Sequence, residues 1–474
     1  MKTIHLYLFL FVFSTTSYAQ SLGYTDLAVL FSQEDFNGTA RYNAMSGAFG
    51  ALGGDISAIY QNPAGGAVFS KSEISGSISL TNINTDASYY NTTLLGNTTS
   101  TFRAPQFGIV FVNHTPYSNS KWSKFSFGFN YSMLNDFNHE YYVEGSNNAG
   151  YARYNLHPYD ETETPFNTPV KQSFTNRMSG RSDVYTFSIA SAYKNFFYIG
   201  SSLNFHDIQF NQDALLTEDN VDDNGYILFA DYSQYLSETS AGVSLGIGII
   251  LKPTRNIRLG AAYQSPVWHP EIAEESNAID YDPNNSYEGV KEKGYLDIYS
   301  DDPILGEDYQ NTYSNYPAIL AYEYGMNTPE KWTVSAALTL GQLGLISADF
   351  YQKNYSLIRL KDTYEFPEET NEINNTLSKT RGIKAGGELR FKAVSLRGGG
   401  YLEESPYTAY KTSHYKRGLS SGIGFKFQNV KFDVAYQYTD YDDSYAIYHE
   451  SEPINRASLR NKTNRISGTL SFSF

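Results

Sequence analysis

The last nine residues of the chain alternate between two chemical classes. In 466–474, the even-numbered positions carry Ile, Gly, Leu or Phe, and the odd-numbered positions carry Ser or Thr. A period of two places each class on its own face of a β-strand. After the first twenty residues, no stretch of the sequence is long and apolar enough for a membrane-spanning helix. If this chain spans a membrane, it must therefore do so with strands, which requires a closed barrel.

The same alternation recurs through 72–474 and predicts about fourteen strands, an all-β transmembrane antiparallel β-barrel. A bacterial single-chain barrel has an even number of strands. The 320–341 segment is the least regular, because Asn327, Pro329 and Glu330 interrupt it. The predicted strands are approximately 72–82, 104–113, 123–135, 185–193, 196–210, 235–251, 256–266, 320–341, 343–355, 380–391, 394–404, 418–427, 430–438 and 466–474.

Short and long connections alternate between these strands. Short connections follow residues 113, 193, 251, 341, 391 and 427, and long polar loops are predicted at 83–103, 136–181, 211–234, 267–319, 356–379, 405–417 and 439–461. Periplasmic turns and longer extracellular loops have this arrangement in up-and-down barrels, so we expect both the N- and C-termini in the periplasm. The alternative is a soluble β-sandwich or propeller, which the lack of a blade-length repeat disfavours.

Composition agrees with a barrel and excludes several other classes. The chain has 42 Tyr, 30 Phe and 3 Trp, whereas charged residues make only 18% and mean hydropathy is −0.43. Tyrosine suits membrane interfaces, and polar uncharged residues suit lumen and loop positions. The absence of cysteine excludes disulfides, thiolate metal sites, a catalytic cysteine and a lipid-modified N-terminal cysteine. A formal charge of −15 argues against nucleic acid as a partner.

Residues 1–19 have the features of a cleavable signal peptide. Lys2 precedes an apolar stretch at 4–13, and Ser17-Tyr18-Ala19 places small residues at the positions before a cut at Gln20. An N-terminal membrane anchor is the alternative, but about ten apolar residues fall short of the roughly 20 that a spanning helix needs. Export and a barrel together predict the bacterial outer membrane, with its lipid bilayer as a partner. The aromatic end at Phe474 resembles the signal that the outer-membrane assembly machinery reads.

Residues 20–71 do not alternate and are rich in small residues, as in 45–55. Such a segment can turn sharply and pack in a confined space, because glycine tolerates positive φ angles. We expect an N-terminal hatch, or plug, folded into the lumen of a barrel formed by 72–474. The alternative is a surface extension before the first strand.

Three segments resemble the FadL-type outer-membrane transporters of long-chain fatty acids and related hydrocarbons. The first is 53–65, with Gly53, Gly54 and Asp55 followed by the triplet Asn62-Pro63-Ala64, and it resembles the hatch of that family. The others are 258–266, which ends in Tyr-Gln-Ser-Pro, and 395–401 with the following Ser405-Pro406-Tyr407. The resemblance implies passive diffusion of a hydrophobic ligand into a plugged barrel. It also implies lateral release into the membrane beside a kinked third strand.

The third predicted strand, 123–135, carries candidates for the border of such an opening. Gly128, Asn130, Ser132 and Asn135 are the polar or small residues on it. The alternative is that they are ordinary lumen-facing residues.

The predicted loops are unusually acidic for a carrier of carboxylates. The acidic residues are Glu271, Glu274, Glu275, Asp280, Asp282, Asp301, Asp302, Glu307 and Asp308. No basic cluster for a carboxylate head group is evident, although Lys291, Lys293 or Arg255 are candidates. Transport of hydrophobic molecules is therefore better supported than fatty acids as the particular ligand.

One loop has the spacing of a calcium site. Asn220, Asp222, Asn224 and Asp231 fall at ligand positions, with Gly225 and Ile227 where such loops carry glycine and an apolar residue. Asn at the first position and Asp at the last weaken the match, and an ordinary acidic turn is the alternative. No other cofactor is expected.

Other functions have weaker sequence support. His157 and His269 precede prolines in predicted loops, but no pairing of histidines is typical of haem ligation. No nucleophile motif indicates an enzyme. The second hypothesis is a structural or adhesive barrel that binds a partner through its acidic loops. We expect a monomer. A transporter predicts an apolar pocket above the plug and a break in strand pairing near 123–135, whereas an adhesin predicts a continuous wall and a lumen filled by polar side chains.

Overall fold

The chain forms a closed antiparallel barrel of fourteen strands. The computed structural model describes residues 22–90, 92–115, 120–146, 168–280, 291–293, 295–300, 317–361, 366–411, 413–447 and 456–474. Consecutive wall strands pair with each other, and the last pairs with the first, with Glu73 opposite Ser473. Among these residues, no helix has the length and apolar character needed to cross a bilayer.

Four of the wall strands are interrupted once each, and two short strands in the described part of the loops extend the sheet. In chain order the wall strands are β1 (Glu73–Tyr89), β2 (Thr92–His114), β3 (Trp122–Asp136 and His139–Gly145), β4 (Thr168–Tyr193), β5 (Phe197–Val221), β6 (Ile227–Leu251), β7 (Ile257–Gln264 and Trp268–Asp280), β8 (Pro317–Asn327 and Lys331–Thr339), β9 (Gly344–Asn354 and Arg359–Lys361), β10 (Lys379–Phe391), β11 (Val394–Glu404), β12 (Tyr415–Phe427), β13 (Val430–Ala446) and β14 (Arg456–Ser473). Lys291–Lys293 pairs with β7, and Tyr295–Ser300 pairs with β6.

The predicted irregularity in 320–341 is confirmed, and it belongs to a wider interruption. β7 and β8 break at neighbouring heights, and each break contains a proline, Pro266 or Pro329. Proline has no amide hydrogen to donate and therefore interrupts a ladder. Two hydrogen bonds hold the two breaks together: the Thr328 amide donates to the Val267 carbonyl at 3.1 Å, and the Val267 amide donates to Thr328 Oγ1 at 2.9 Å.

The outward face near the short-turn end is an apolar belt. We call this end, which carries the connections 194–196, 252–256, 392–393 and 428–429, the short-turn end, and the opposite one the long-loop end. Leucine and aromatic side chains there are exposed, such as Leu389, Leu419 and Leu470. The lumen-facing neighbours on β14, Thr469 and Ser471, are buried and polar. This is the expected arrangement of a barrel whose outside meets lipid.

Two predicted loops, 83–103 and 211–234, are wrong, because these residues continue the strands. The predicted loops 136–181, 267–319 and 439–461 are wrong in part, because wall strands extend into each of them. β5 and β6 run on to Val221 and Ile227 and leave only a short turn between them. Above the apolar belt the faces exchange chemistry: Leu216, Leu228 and Tyr232 point inward and form a buried cluster with Tyr89. At this height, solvent surrounds the barrel. The apolar face of the strands therefore points into the lumen, and the pattern of apolar residues outside and polar residues inside no longer identifies the strand.

The N-terminal segment fills the lumen, which confirms the predicted plug. It comprises α1 (Tyr24–Ser32), α2 (Ala40–Ala44), α3 (Ala58–Gln61) and a 3₁₀ helix (Pro63–Val68). The described parts of the wall connections contain three more helices, 3₁₀ (Tyr355–Leu357), α4 (Pro367–Thr376) and 3₁₀ (Thr408–Tyr410). The boundary at residue 71 stays a prediction, and the predicted signal peptide, 1–19, lies outside the described residues.

The plug runs along the lumen from one end to the other. The Leu22 amide donates to Gln212 Oε1, and α1 packs against Phe210 and Tyr324, all toward the long-loop end. At the short-turn end, the Phe474 amide donates to the Ser72 carbonyl. The first described residue and the last residue therefore lie at opposite ends of the barrel, and the periplasmic placement of the two termini stays a prediction. Counting strands places the two ends of the wall together, but it does not reveal that the plug threads through the barrel.

A charged residue in the apolar belt should destabilise the barrel. We expect Leu470→Arg to cost about 2–4 kcal/mol, because its outward position lies at mid-belt. Thr98→Arg, which lies on an exposed part of β2 beyond the belt, is the matched control and should change stability by less than about 0.5 kcal/mol. Reversible urea unfolding in lipid vesicles measures both. Equal effects of the two substitutions would contradict the assignment of the belt.

Candidate functional site

The glycine pair of the predicted hatch motif forms the tight corner of the plug. Gly53 and Gly54 have φ angles of 57° and 67°, which glycine adopts without steric penalty. This conformation lets the Gly54 amide donate to the Gly65 carbonyl at 3.1 Å. A side chain at Gly53 would lie 2.7 Å from the Cα atom of Gly65. The motif thus closes the plug on itself.

Asp55 attaches the same corner of the plug to the start of α2 by hydrogen bonds. Its carboxylate accepts a hydrogen bond from the Thr39 hydroxyl at 2.9 Å and from the Ser57 amide at 3.1 Å. Arg41 lies 4.0 Å away. Burial raises the pKa of the Asp55 carboxyl, and Arg41 opposes that rise without cancelling it. This residue holds the internal structure of the plug.

Asn62, Pro63 and Ala64 attach the plug to the wall near the short-turn end. Asn62 Nδ2 donates to the Gly50 carbonyl at 2.7 Å and to the carbonyl of Ile249 on β6 at 3.2 Å. Its Oδ1 accepts from the Ala64 amide at 3.1 Å and caps the 3₁₀ helix. The backbone approach requires glycine in the wall, since a Cβ at Gly248 would overlap Asn62 Oδ1.

Three charged residues of the plug pair with the inner wall. Arg41 Nε binds Glu388 Oε2 at 2.9 Å on β10. The other two are adjacent carboxylates. Glu34 lies 2.6 Å from Lys331 and 2.9 Å from Lys353, and Asp35 lies 2.7 Å from Lys416 and 3.3 Å from Arg465. These charge-assisted contacts fix the plug to five different strands of the wall.

The two carboxylates remain ionised because of these partners. Burial alone would raise the pKa of Asp35, but the charges of Lys416 and Arg465 outweigh it and lower the pKa to about 2. Lys331 and Lys353 likewise outweigh burial and hold the pKa of Glu34 well below its usual range. The plug is therefore held by full charges throughout the neutral pH range.

A cavity of about 200 Å³ lies above the plug, toward the long-loop end. Its floor is the plug segment from Gln33 to Phe36, and its sides carry tyrosines and charged residues in similar measure, including Tyr355, Tyr401, Tyr407, Glu403 and Lys416. The expected apolar pocket is therefore present only in part. A lining of this kind suits a ligand with both an apolar body and a polar group.

The main-chain hydrogen-bond ladder of the wall is open between β2 and β3 above Ser132. Main-chain pairing of these strands runs from His114 opposite Lys124 to Gln106 opposite Ser132 and stops there. Among the described residues, 92–105 pair only with β1, and the second part of β3 pairs only with β4. We call this opening, between 92–105 of β2 and the part of β3 above Ser132, the slit.

Side chains bridge the slit where main-chain hydrogen bonds are missing. Arg103 Nε lies 3.1 Å from Asp136 Oδ2, and the Thr101 hydroxyl donates to the same oxygen at 3.1 Å. Higher up, the Glu140 amide donates to Thr99 Oγ1 at 3.2 Å. Thr101 and Asp136 also line the cavity. The cavity therefore ends at the slit.

Phe137, at the interruption of β3, connects the slit to the plug. Its amide donates to the carbonyl of Gly180 at 3.1 Å, where a φ of 114° requires glycine. Its ring turns into the lumen and packs on Phe31 of α1 and Phe210 of β5, with ring centroids 5.8 and 5.6 Å apart. The first helix of the plug therefore packs directly against the residue at which the wall opens.

The four residues predicted to border an opening fall on both sides of the point where pairing ends. Gly128 and Asn130 lie in the paired part of β3, and Asn130 is buried and accepts a hydrogen bond from Gln106 at 3.1 Å. Ser132 is the last residue paired with β2, and Asn135 lines the cavity. Their role in release stays a proposal. Arg103, Asp136 and Phe137 have no counterpart in the prediction.

The four residues of the calcium hypothesis do not converge. Asn220 donates to Glu218 in the lumen at 2.8 Å, and Asp222 accepts from the amides of Asn224 and Tyr226 at 2.9 and 2.8 Å, which closes the turn. Asp231 lies further along β6, opposite Thr217. Within the described ranges, no group of three His, Asp or Glu side chains is arranged to hold a metal ion.

The candidates for binding a carboxylate lie away from the cavity or outside what is described. Arg255 lies in a turn at the short-turn end. The side chains of Lys291 and Lys293 are not described. Of the acidic loop residues, the side chain of Asp280 is not described, and Asp282, Asp301, Asp302, Glu307 and Asp308 lie outside the described residues, as does His157. The lumen instead presents Lys331, Lys353, Lys384, Lys416 and Arg465, which the sequence analysis missed. The sequence signal for these basic residues was their position on the lumen-facing side of strands with alternating residues.

Comparison with known proteins identifies the fold. No family model and no curated protein matches the chain. Among solved structures, a Pseudomonas aeruginosa FadL homologue is similar at 13% identity, with 94% of this chain and 100% of that chain covered and a TM-score of 0.57. The Pseudomonas putida toluene transporter TodX is similar at 12% identity, 93% and 99% coverage and a TM-score of 0.55. The Ralstonia pickettii toluene transporter TbuX is similar at 15% identity, 94% and 100% coverage and a TM-score of 0.52. The chain therefore has the FadL-type barrel fold.

Adding one methyl group at Gly248 should loosen the plug. We expect Gly248→Ala to destabilise the protein by about 1–3 kcal/mol, because the new Cβ overlaps Asn62 and forces the triplet away from the wall. Gly468→Ala is the matched control, since the nearest atom there would be 4.0 Å away. Thermal melting gives stability, and planar-bilayer conductance shows whether the lumen opens. Identical behaviour of the two variants would refute the anchoring role of Asn62.

The anchoring by Asp35 should disappear only in acid. Its folded pKa of about 2 lies below the ordinary value of 3.8, so its stabilisation is complete above the ordinary value and is lost as pH falls through the folded value. We expect the melting-temperature difference between the wild type and Asp35→Asn to be constant from about pH 5 to 8 and to shrink below about pH 4. The pH-dependent part should be about 2 kcal/mol. A difference that instead changes between pH 6 and 8 would contradict this assignment.

Proposed function

We propose that this protein carries hydrophobic small molecules, such as long-chain fatty acids or related lipids and hydrocarbons, across the bacterial outer membrane by passive diffusion. The ligand reaches the cavity from the long-loop end, which faces the outside, and leaves sideways through the slit into the membrane. The observation that carries this proposal is the meeting of cavity and slit at Thr101, Asn135, Asp136 and Phe137.

Physical chemistry favours a sideways exit over a path through the plug. Below the cavity, the lumen holds the ion pairs of Glu34, Asp35 and Arg41 and the close contacts of Asn62 with the wall. Moving an alkyl chain from an apolar medium into water costs about 0.8 kcal/mol of free energy for each CH₂ group. Release into the membrane beside the slit avoids that cost.

The structural neighbours support a hydrophobic ligand, since two of them are named as toluene transporters. The mixed apolar and charged lining of the cavity also favours a ligand that carries a polar group. A structural or adhesive barrel, the second hypothesis, predicted a continuous wall. The unpaired edges of β2 and β3 favour transport over that alternative.

Locking the slit should block uptake. The wild type has no cysteine, so Thr99→Cys with Glu140→Cys introduces a single disulfide at a point where side chain and backbone lie 3.2 Å apart across the slit. We expect uptake of labelled palmitate by cells carrying the oxidised variant to fall to background and to recover on reduction, because the two edges can no longer separate.

The control places the disulfide between strands that are already paired. Ser88 and Thr93 face each other on β1 and β2, with hydroxyl oxygens 3.0 Å apart. Ser88→Cys with Thr93→Cys should leave uptake unchanged in both redox states. Full uptake by the oxidised Thr99–Glu140 variant would rule out lateral release through the slit.

A further inference from the structure

We propose that six cations around the short-turn end bind the phosphate groups of anionic phospholipids in the adjacent leaflet of the membrane. This contact would fix the barrel in its bilayer, and it is independent of the molecule that the barrel carries. We call these residues the basic ring: Lys71, Lys121, Lys194, Lys252, Arg255 and Lys392.

Every residue of the basic ring lies in a connection between strands. In chain order they lie before β1, before β3, in the turn after β4, twice in the turn after β6, and in the turn after β10. All are exposed except Lys252, which is half-buried. The cations are therefore distributed around the rim of the barrel and are not gathered on one side of it.

Main-chain hydrogen bonds join the connections into a continuous rim. The Lys194 amide donates to the Lys121 carbonyl at 2.8 Å, and the Lys252 amide donates to the Phe196 carbonyl at 2.8 Å. The rim thus holds the backbone of the basic ring in place. Further around the barrel, the amides of Arg390, Lys426, Ser473 and Phe474 donate to the carbonyls of Leu343, Ala393, Asn429 and Ser72.

The protein supplies no counter-ion to the basic ring. Among the described residues, no carboxylate lies within 4.0 Å of a charged nitrogen of the ring. Lys71 Nζ donates to Asn429 Oδ1 at 3.3 Å, and Lys194 Nζ lies 5.7 Å from the ring centroid of Tyr193. The wall carboxylate beside Lys71, Glu73, is buried and lies 2.6 Å from Lys431. Six positive charges thus remain uncompensated in a chain whose formal charge is −15.

Outward cations beyond the other edge of the apolar belt are compensated within the protein. Arg417 and Arg460 lie 2.9 and 3.3 Å from the carboxylate of Asp440, and Lys462 lies 2.8 Å from that of Asp86. The barrel therefore provides its own counter-ions at the long-loop edge of the belt and leaves them out at the short-turn edge. This difference indicates that the missing anions belong to the surroundings of the short-turn end.

Aromatic neighbours place the basic ring at the height of the lipid head groups. Trp122 follows Lys121, Phe391 precedes Lys392, and Phe196 lies in the same turn as Lys194; all three aromatic side chains are exposed. Aromatic residues of this kind mark the interface between hydrocarbon and head groups in membrane barrels. Lysine and arginine at that height can lay their carbon stems along apolar surface and direct their charge to the head groups.

The distribution of the charges favours lipid over a protein partner. A specific protein interface covers a single patch of about 800 Å² on each partner, whereas the basic ring extends around the rim. Lipid head groups surround the barrel and reach every connection at once. The phosphate of an anionic phospholipid is therefore the counter-ion that this arrangement fits.

The test measures lipid selectivity of the purified full-length protein in phosphatidylcholine vesicles. Electron spin resonance compares spin-labelled phosphatidylglycerol with spin-labelled phosphatidylcholine of identical chains at the protein boundary. We expect the wild type to prefer phosphatidylglycerol by about 2-fold to about 5-fold. The preference should fall toward parity at about 1 M salt, because the screening length is then about 3 Å.

Charge reversal at three positions should abolish the preference at low salt. Lys121→Glu combined with Lys194→Glu and Lys392→Glu brings the net charge of the basic ring to zero. The matched control combines substitutions toward the long-loop end, Lys171→Glu, Lys361→Glu and Lys411→Glu. This control makes the same change in total charge and should keep the selectivity of the wild type.

Two results would overturn the lipid site. The first is equal selectivity of the two triple variants. The second is a wild type that does not distinguish the two lipids at low salt, which would indicate an acidic protein as the partner of the basic ring. Neither result would affect the proposed function, because uptake through the slit does not require the ring.

Discussion

Every backbone amide and carbonyl that faces the lipid must find a hydrogen-bond partner within the protein, because hydrocarbon offers none. Closure of β14 on β1 meets this requirement around most of the wall. An opening in such a wall is costly unless something replaces the missing bonds. Between β2 and β3, the side chains of Arg103, Thr101 and Asp136 do so. Side-chain bridges separate more easily than a continuous ladder of main-chain hydrogen bonds. The slit is therefore bridged in this structure, but it can separate more easily than the rest of the wall.

Inside the barrel, two kinds of contact attach the plug to the wall. Near the short-turn end, close backbone approach at Gly248 and the hydrogen bonds of Asn62 attach it firmly. In the middle of the lumen, Glu34 and Asp35 attach it by charge. Close packing has little tolerance for change, whereas ion pairs exchange partners when another carboxylate arrives. The charged segment also adjoins α1, which packs on Phe137 at the slit. One segment of the plug thus touches the cavity, the basic side chains of the lumen and the helix that reaches the slit.

The sequence was informative where the physical pattern was local. Alternation at Leu470, Thr469 and their neighbours follows from lipid outside and polar lumen inside, and it located the fourteen strands. It failed above the belt, where Leu216 and Leu228 turn inward because solvent lies outside. Glycine and proline patterns in 53–65 indicated a plug but not its path through the barrel.

The sequence could not predict the basic residues of the lumen, Lys331, Lys353, Lys384, Lys416 and Arg465, for a different reason. Asp35 and Arg465 are 430 positions apart in the sequence and 3.3 Å apart in the fold. Pairing across a lumen leaves no periodic trace, so a lumen-facing lysine in a strand reads like any polar residue. The acidic residues of the loops are close together in the sequence, whereas these five basic residues come from β8, β9, β10, β12 and β14.

The central claim is that a ligand passes from the cavity through the slit into the membrane. A fatty acid with a photoreactive group at the end of its tail, cross-linked in native membranes and mapped by mass spectrometry, tests this directly. The account predicts labelling at 99–103 of β2 and at 135–140 of β3, together with the tyrosines of the cavity. Labelling confined to the plug near Asn62 and to the short turns would instead show a path through the barrel to its far end and would contradict the account.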